Sequence, residues 1–318
     1  MKVDNNAMNK QKTNVLIVGS GAIGLLWYSH FALNSKHSIN CYLYQSAKRK
    51  ALPDEIKFTN INDTTHVIHS NIITQPKSPM DIVLVCVKSY QLNQAIADIQ
   101  SIICPKTLVI TTHNGLGALN TQSNQYLENN IVLNMLTTHG CLKVADNEIK
   151  HTGAGISHLG VKFDVAEKYL ESNKQKDIRD LLHTILPEVV WCDDILSKQW
   201  LKLAINCVIN PLTAVFDIKN GEVINPEFTS IIEQVIDEVV AIGQAKGISL
   251  DKVQLIETVL LVAQATANNS SSMRCDAQQK RETEIEYING YIHKSGQELN
   301  IPTPKNTELY QKVLALTF

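Results

Sequence analysis

The chain is predicted to be an α/β protein, with an N-terminal doubly wound, mostly parallel sheet followed by an all-helical C-terminal domain. Three observations carry this. Short apolar, β-branched runs alternate with helix-compatible segments as far as about residue 190. The first run ends in the glycine turn Gly19-Ser20-Gly21-Ala22-Ile23-Gly24, and from residue 191 onward the texture is helical. Runs that are apolar throughout, rather than alternating, suit strands covered by helices on both faces.

Residues 1–13 are polar, lack an apolar signal core and read as a flexible tail. Val15–Val18 is the first strand and Leu25–Leu33 has helical composition, so the glycine turn joins strand to helix. Further buried strands are expected at Ile39–Tyr44, Ile82–Val87, Leu108–Thr112 and Ile131–Leu136. Lys143–Lys162 alternates more and is expected to add antiparallel strands that close the sheet edge. Residues 14–190 are therefore expected to form a Rossmann-type domain, whose glycine turn suits a dinucleotide, and residues 191–318 a second, helical domain. That second domain opens on Asp193-Asp194, cap residues for a long helix through Trp200–Ala214, which Pro211 is expected to close. Asn225-Pro226 reads as the start of a helix running to Gly247, Ser249–Ala267 and Ala277–His293 as two more, and Asn306–Leu316 as a short last one.

Composition narrows the function. The 318 residues are 44% hydrophobic and 19% charged, with 29 basic against 31 acidic side chains. A near-neutral chain offers no field for nucleic acid or an anionic membrane, which leaves small molecules as the default ligands. No apolar run is long enough for a membrane span. The seven scattered cysteines include no CxxC pair and read as reduced, buried thiols. These features point to the cytoplasm, and a homodimer is compatible with them.

The stretch WLKLAINCVINPLTA, Trp200–Ala214, places one lysine and two asparagines in an otherwise almost wholly apolar helix. Lys202, Asn206 and Asn210 are four residues apart, so they share one face. Apolar residues on the remaining surface imply a helix surrounded by protein, where an ammonium needs a partner. A lysine reaching solvent beside two asparagines that bond a neighbouring helix fits the same pattern.

At the glycine turn, Gly19 allows the tight bend, Gly21 the approach of a pyrophosphate and Gly24 close helix packing, while the helix N-terminus offers unpaired N–H groups to an anion. A glycine turn without a ligand is the plainer alternative. No Asp or Glu occurs between Gly24 and Asp54; the second strand instead leads into Gln45-Ser46-Ala47-Lys48-Arg49-Lys50. Cations there suit a 2′-phosphate, which favours NADP(H) with Lys48 and Arg49 as ligands, against a merely solvated basic loop. Two other strand ends deliver Lys88 with Gln91, and His113-Asn114-Gly115, to the edge where ligands bind in such sheets, although an Asn-Gly pair is often only a turn. His66 and His69 lack ligand-spaced partners and read as surface histidines, so no metal site is expected. His139 reads as structural.

Together, VGSGAIG, VKSYQ, HNGLG, TTH, WLKLAINCVINPLTA, NGE, NSSSM and RETEIEYINGY resemble the ketopantoate reductase family, from Val15 to about Leu309. The resemblance implies NADPH-dependent reduction of 2-dehydropantoate to (R)-pantoate, on the way to pantothenate and coenzyme A. It implies Lys202 as proton donor, and Asn206, Asn210, Asn220, Asn269 and Ser272 around the substrate. It also implies Asn114 against both substrate and cofactor, Glu284 on the cofactor side, and Cys141 near the nicotinamide end. Two positions depart from the family pattern: Gln45 stands where an arginine often serves the 2′-phosphate, and His113 replaces the usual glutamine. Without the resemblance, Glu282, Glu284 and Glu286 read as the charged face of a helix. A related β-hydroxyacid or opine-type dehydrogenase, or a non-catalytic NADP(H) sensor, would share the architecture; NSSSM with TEIEYING argues against the first, and the retained Lys202, Asn206, Asn210, Ser272 and Glu284 against the second.

Overall fold

The computed structural model describes residues 12–34, 39–46, 52–75, 78–119, 121–162, 171–186 and 188–317. They fall into two compact units. One comprises the described residues within Met1–Val87, Gln91–His113 and Thr121–Asp193, the other those within Lys88–Tyr90, Asn114–Asn120 and Asp194–Phe318. A single cut near residue 190 does not reproduce this division, because two short segments that follow strands of the first unit make their contacts in the second.

The strands of the first unit are β1 (Thr13–Val18), β2 (Ile39–Tyr44), β3 (Glu55–Thr59), β4 (Thr65–His69), β5 (Ile72–Ile73), β6 (Ile82–Val85), β7 (Leu108–Thr111), β8 (Ile131–Thr137), β9 (Gly140–Ala145), β10 (Glu148–Gly153), β11 (Ser157–Val161) and β12 (Val189–Trp191). Eight of them form the main sheet in the order β12-β11-β8-β7-β6-β1-β2-β5. Pairing is parallel throughout except where β11 meets β8. Helices α1 (Ala22–Asn34), α2 (Leu92–Ile99), α3 (Thr121–Leu127) and α4 (Ser172–Ile185) complete the unit. The connection from β1 to β2 and that from β6 to β7 run in opposite directions along the sheet, so the right-handed rule puts α1 and α2 on opposite faces. Accordingly α1 packs with α4, and α2 with α3. The direction reverses between β1 and β6, beside the glycine turn, and such a switch point is where ligands bind in these sheets.

Two details differ from the sequence reading. β1 already begins at Thr13, inside the expected tail; residues 1–11 lie outside the described residues. Of the strands expected to close the main sheet within Lys143–Lys162, only β11 does so. β9 and β10 instead join β3 and β4, which the sequence reading left out, in a second sheet of order β4-β3-β10-β9. Its inner residues Ile56, Phe58 and Ile149 are fully buried, and α1 packs against all four of its strands. β3 alternates buried and exposed positions, the pattern of a sheet with one face in water.

The second unit is helical: α5 (Ile195–Phe216), α6 (Thr229–Ala245), α7 (Lys252–Ala265), α8 (Ser272–Gln278), α9 (Asn289–Leu299) and α10 (Pro304–Thr317). α5 is its axis, packed by α6, α7, α8 and α10, with Leu203, Ala204, Cys207, Val208 and Leu212 in the core. The Asp194 carboxylate accepts the Ser197 N–H at 3.0 Å and caps its start. Pro211 does not close it; the helix runs five residues further and ends at Asp217 in the left-handed conformation, φ 52°. Asn225-Pro226 begins a 3-10 turn, Pro226–Phe228, and α6 proper starts at Thr229. The expected helix Ala277–His293 is broken. α8 ends at Gln278, Lys280 takes a φ of 52°, and Ile285–Tyr287 forms a 3-10 turn before α9. Among the described residues no helix is long and apolar enough to cross a membrane.

Leu84 is 0% exposed in the central strand β6, whereas Val67 on β4 is 63% exposed. Leu84→Ala is expected to destabilise the protein by about 2–5 kcal/mol, and Val67→Thr by no more than about 0.5 kcal/mol. Urea denaturation of the two variants checks this; comparable losses would contradict the placement of the core.

Candidate functional site

In the first unit the glycine turn is shaped by its neighbour strand. Gly19 has a φ of 115°, and a Cβ there would collide with the Cys86 carbonyl, whose own N–H donates to Val18 O at 2.7 Å. At Gly24 a Cβ would strike the Gly19 carbonyl, so the turn closes only with glycine at both places. Gly21 differs: a Cβ would meet only Cys86 O at 4.0 Å, leaving its outer side open to a ligand. α1 begins at Ala22, continues through Ile23, and directs its first N–H groups toward the turn. β9 supplies two further contacts. The Cys141 thiol donates to Ala22 O at 3.3 Å, and the Lys143 ammonium to Ser20 O at 3.0 Å. Lys143 went unnoticed in the sequence; only the fold of the second sheet brings its charge to the turn. Gln45 is buried, its Oε1 accepting the Leu52 N–H at 3.0 Å. Lys48 and Arg49 lie outside the described residues. Gln91 stands at the N-terminus of α2, half-buried.

In the second unit the polar groups converge on Glu284, 4% exposed. Its Oε1 accepts the Ser89 N–H at 3.0 Å and lies 2.7 Å from the Ser89 hydroxyl, while Oε2 accepts the Asn114 amide at 2.9 Å. The Ser89 hydroxyl is shared with the Asn114 carbonyl at 2.5 Å. Lys88 stands 3.7 Å from Glu284 and 2.7 Å from Asp276, a second buried carboxylate that Arg281 holds through two bonds of 2.8 and 3.1 Å. Gly115, φ 77°, lets the backbone press against the Tyr287 carbonyl, which accepts the Leu116 N–H at 2.9 Å. These contacts account for the membership of Lys88–Tyr90 and Asn114–Asn120 in the second unit. They also account for the broken helix: the chain must leave α8 to turn Glu284 inward. Glu282 stays exposed, so the three glutamates are not one solvated face. Asp276 stands in no motif, and Ser89, although within VKSYQ, carries no role readable from it.

Lys202 and Asn206 are half-buried on α5 and Asn210 is buried, one turn apart along a single face. Burial pulls the Lys202 ammonium below the ordinary lysine range, and the attraction of the Glu284 carboxylate only partly restores it. For Glu284 the balance is reversed. Burial would raise its carboxyl, but the Lys88 ammonium and the Asn114 and Ser89 bonds outweigh that and leave it below the usual carboxylate range. Burial likewise opposes the Lys88 ammonium, yet Glu284 and Asp276 hold its pKa above the ordinary lysine value.

The remaining expected substrate residues occupy the junction of α5, α7 and α8. Asn220 is buried, its N–H donating to Asn269 O at 3.1 Å and its amide to Thr266 at 3.0 Å, while its Oδ1 is a buried acceptor without a protein partner. Asn269 and Ser272 are exposed. Within NSSSM the serine that caps α8 is Ser271, which accepts the Arg274 N–H at 3.0 Å and bonds Thr213 at 2.7 Å.

Two other expectations are adjusted, those for the surface histidines and for the cysteines. His69 is exposed, but His66 is half-buried and stacks on Phe58. All seven cysteines are free, yet only Cys86 and Cys207 are buried; the other five are partly open. His139 is buried within 3.2 Å of His151. Among the described residues no cluster of three or more His, Cys, Asp or Glu is placed to hold a metal ion.

Glu284→Gln is expected to lower stability at pH 7 by about 2–4 kcal/mol, because a buried charged acceptor is lost and Lys88 keeps one partner. The folded-state pKa of Glu284 lies below its unfolded value, so its contribution is complete above the ordinary glutamate pKa of ~4.3 and disappears as pH falls through the lower folded value. Denaturation of both proteins at neutral and acidic pH should show the difference narrowing only in acid. A difference independent of pH would contradict the charged pairing.

Residues 15–162 match the family described as ketopantoate reductase PanE/ApbA, and residues 194–317 its C-terminal counterpart, ketopantoate reductase PanE/ApbA C terminal. The 2-dehydropantoate 2-reductase of Vibrio cholerae is 36% identical over 307 residues, 95% of this chain and 97% of that protein. That of Yersinia pestis is 30% identical, covering 94% and 93%. Among solved structures, a D-mandelate dehydrogenase in ternary complex with NADH and anilino(oxo)acetate aligns with a TM-score of 0.84 at 20% identity, over 96% of this chain and 98% of that one. A dimeric ketopantoate reductase from Staphylococcus aureus aligns with a TM-score of 0.79 at 21% identity, over 96% and 98%. The structural likenesses establish the fold, and the sequence matches establish the family: the chain belongs to the ketopantoate reductases.

Proposed function

We propose that this protein catalyses the NADPH-dependent reduction of 2-dehydropantoate to (R)-pantoate, a step toward pantothenate and coenzyme A, in the cytoplasm. The observation that carries the reading is Lys202, an ammonium of lowered pKa on a buried helix, on one face with Asn206 and Asn210 and under the influence of Glu284. Its family membership and the 36% identity to the Vibrio cholerae enzyme support the substrate. The open side of Gly21 and the positive charge of Lys143 suit a dinucleotide pyrophosphate on the glycine turn, with Ser20, Ala22, Ile23 and Gly24 framing it. Lys48 and Arg49 are the residues proposed for the 2′-phosphate, with Lys88, Gln91, Asn114, Cys141 and Glu284 as further cofactor residues. A homodimer, as in the Staphylococcus aureus protein, is the proposed assembly.

Held on the glycine turn Gly19–Gly24, NADPH would supply the hydride for reduction of the C2 carbonyl, whose oxygen then needs a proton. The Lys202 ammonium polarises that oxygen and gives it a proton, forming the O–H bond and leaving a neutral amine that solvent reprotonates. A lowered pKa makes this transfer easier near neutral pH than from an ordinary lysine. Glu284 limits how far the pKa falls, and so keeps the donor protonated between turnovers. Asn206 and Asn210, with Ser272 and Asn269, hold the substrate carboxylate and orient the carbonyl. The unpartnered Asn220 Oδ1 accepts the hydroxyl at the far end of the substrate, and Asn114, its amide fixed by Glu284, is oriented for the remaining contact.

The purified protein should oxidise NADPH on addition of 2-dehydropantoate. Turnover with another 2-keto acid but not this one would move the assignment to a related β-hydroxyacid or opine-type dehydrogenase; tight NADPH binding without turnover would make the chain a sensor. Lys202→Ala is expected to lower kcat by ~100-fold or more with little change in NADPH affinity. In the wild-type enzyme kcat should fall as pH rises through the Lys202 pKa, since the ammonium is the donor. The fall should begin below the ordinary lysine value of ~10.4, and unchanged turnover in the variant would remove Lys202 from the mechanism. Replacing Lys48 and Arg49 by alanine should raise KM for NADPH much more than for NADH. Equal effects would remove the 2′-phosphate contact.

A further inference from the structure

Pro211 lies inside α5 and has no N–H to donate to the carbonyl four residues earlier, that of Cys207. This carbonyl is not left open. It accepts the side-chain amide of Asn289, at the start of α9, at 2.9 Å. The second N–H of that amide donates to Asn306 Oδ1 at 2.9 Å, and the Asn306 amide in turn reaches Glu238 at 2.7 Å and Val235 O at 3.2 Å. Glu238, on α6, also accepts the backbone N–H groups of Lys305 and Asn306, at 2.7 and 2.8 Å, in the first turn of α10. Asn289 and Asn306 are both 0% exposed.

The direction of this chain of bonds is forced. A carboxylate and a backbone carbonyl can only accept, so each amide between them has one arrangement that satisfies both ends. The cost is visible in Asn289 Oδ1, which is buried without a partner. An amide that gives both protons and leaves its oxygen unpaired is tolerated here because the Cys207 carbonyl and the Asn306 oxygen would otherwise lose their bonds.

The broken turn has a functional address. Cys207 directly follows Asn206, and the missing Cys207–Pro211 bond belongs to the turn that separates Asn206 from Asn210. A proline ring crowds the carbonyl of the preceding turn and opens it, so the angle between the two asparagines depends on what holds that carbonyl. We infer that Asn289 is a positioning residue for the reductase site: by replacing the helical bond that Pro211 cannot make, it sets Asn210 relative to Asn206 and Lys202. This inference rests on the proposed reaction for its kinetic readout and on the α5 geometry for its physical content.

The test is a cycle between Asn289 and Pro211. Asn289→Ala should raise KM for 2-dehydropantoate and lower kcat, a combined loss in kcat/KM of roughly 10- to 100-fold, with KM for NADPH within about twofold of wild type. Pro211→Ala restores an N–H to the turn and should by itself change kcat/KM by less than about threefold. In the double variant that N–H bonds Cys207 O directly, so much of the loss should be recovered. Amide hydrogen exchange gives a readout independent of activity: residues 206–214 should exchange faster in Asn289→Ala and return toward wild type in the double variant, with α7 unaffected. A wild-type protein inactive on 2-dehydropantoate would refute the proposed reaction, and the exchange cycle would still decide the positioning role. If Asn289→Ala fails to fold, recovery of a folded protein in the double variant supports the inference. A double variant that folds, exchanges or turns over no better than Asn289→Ala overturns it, as does a folded Asn289→Ala with wild-type kinetics.

Discussion

A carboxylate almost without contact with water organises the second unit. An isolated buried charge is prohibitively costly, so Glu284 is retained only because donors reach both of its oxygens and an ammonium stands close by. Those donors come from distant parts of the chain: Ser89 and Lys88 follow one strand of the first unit, and Asn114 follows another. Pairing this one charge thus recruits two short segments into a helical unit to which they are remote in sequence. The same requirement breaks the chain between α8 and α9, because a continuous helix would not turn Glu284 inward. Its field then acts on Lys202, moderating the fall in pKa that burial imposes.

The polar interior of the second unit follows one rule at several places. Glu238, Asp276 and Glu284 are each buried, and each is met by backbone N–H groups, amides or cations. Asn289 and Asn306 extend the rule to neutral groups, joining the carboxylate on α6 to the carbonyl that Pro211 frees. α5 can therefore contain a proline and still continue as a helix to Phe216. The ordinary penalty for an interior proline combines a lost bond and a steric opening of the turn; here the lost bond is replaced from α9.

In the first unit the equivalent constraint is steric. Gly19 and Gly24 close the turn by bringing backbone against backbone, which leaves Gly21 as the open position. The second sheet covers α1 and brings Lys143 and Cys141 to the turn. It also buries a group of histidines: His30 on α1 packs edge-on to both Phe58 and His151, and His151 approaches His139. Burial and its histidine neighbours lower the His30 pKa to about 4, so that the ring is neutral near pH 7 and packs as an aromatic.

Local chemistry alone determined the alternating strands and helices, the glycine turn, the cap at Asp194 and the polar stripe on α5. Each depends on residues within one or two turns of each other, where spacing is geometry. The family motifs named Lys202, Asn114 and Glu284 for the same reason, that each stands in a recognisable local run. Only the tertiary structure decided that Glu284 is an interior charge and Glu282 a solvated one, because burial belongs to the packing of remote segments and not to a tripeptide. The environment of Pro211 inside α5 likewise belongs to the fold, since the carbonyl it cannot bond is met by an amide 78 residues further along the chain. The roles of Lys143, Ser89 and Asp276 were illegible for that reason, made significant only by what the fold places beside them. The pKa of Lys202 depends on both levels: its type and helix face are written in the sequence, while the contest between desolvation and the Glu284 field exists only once the chain is folded.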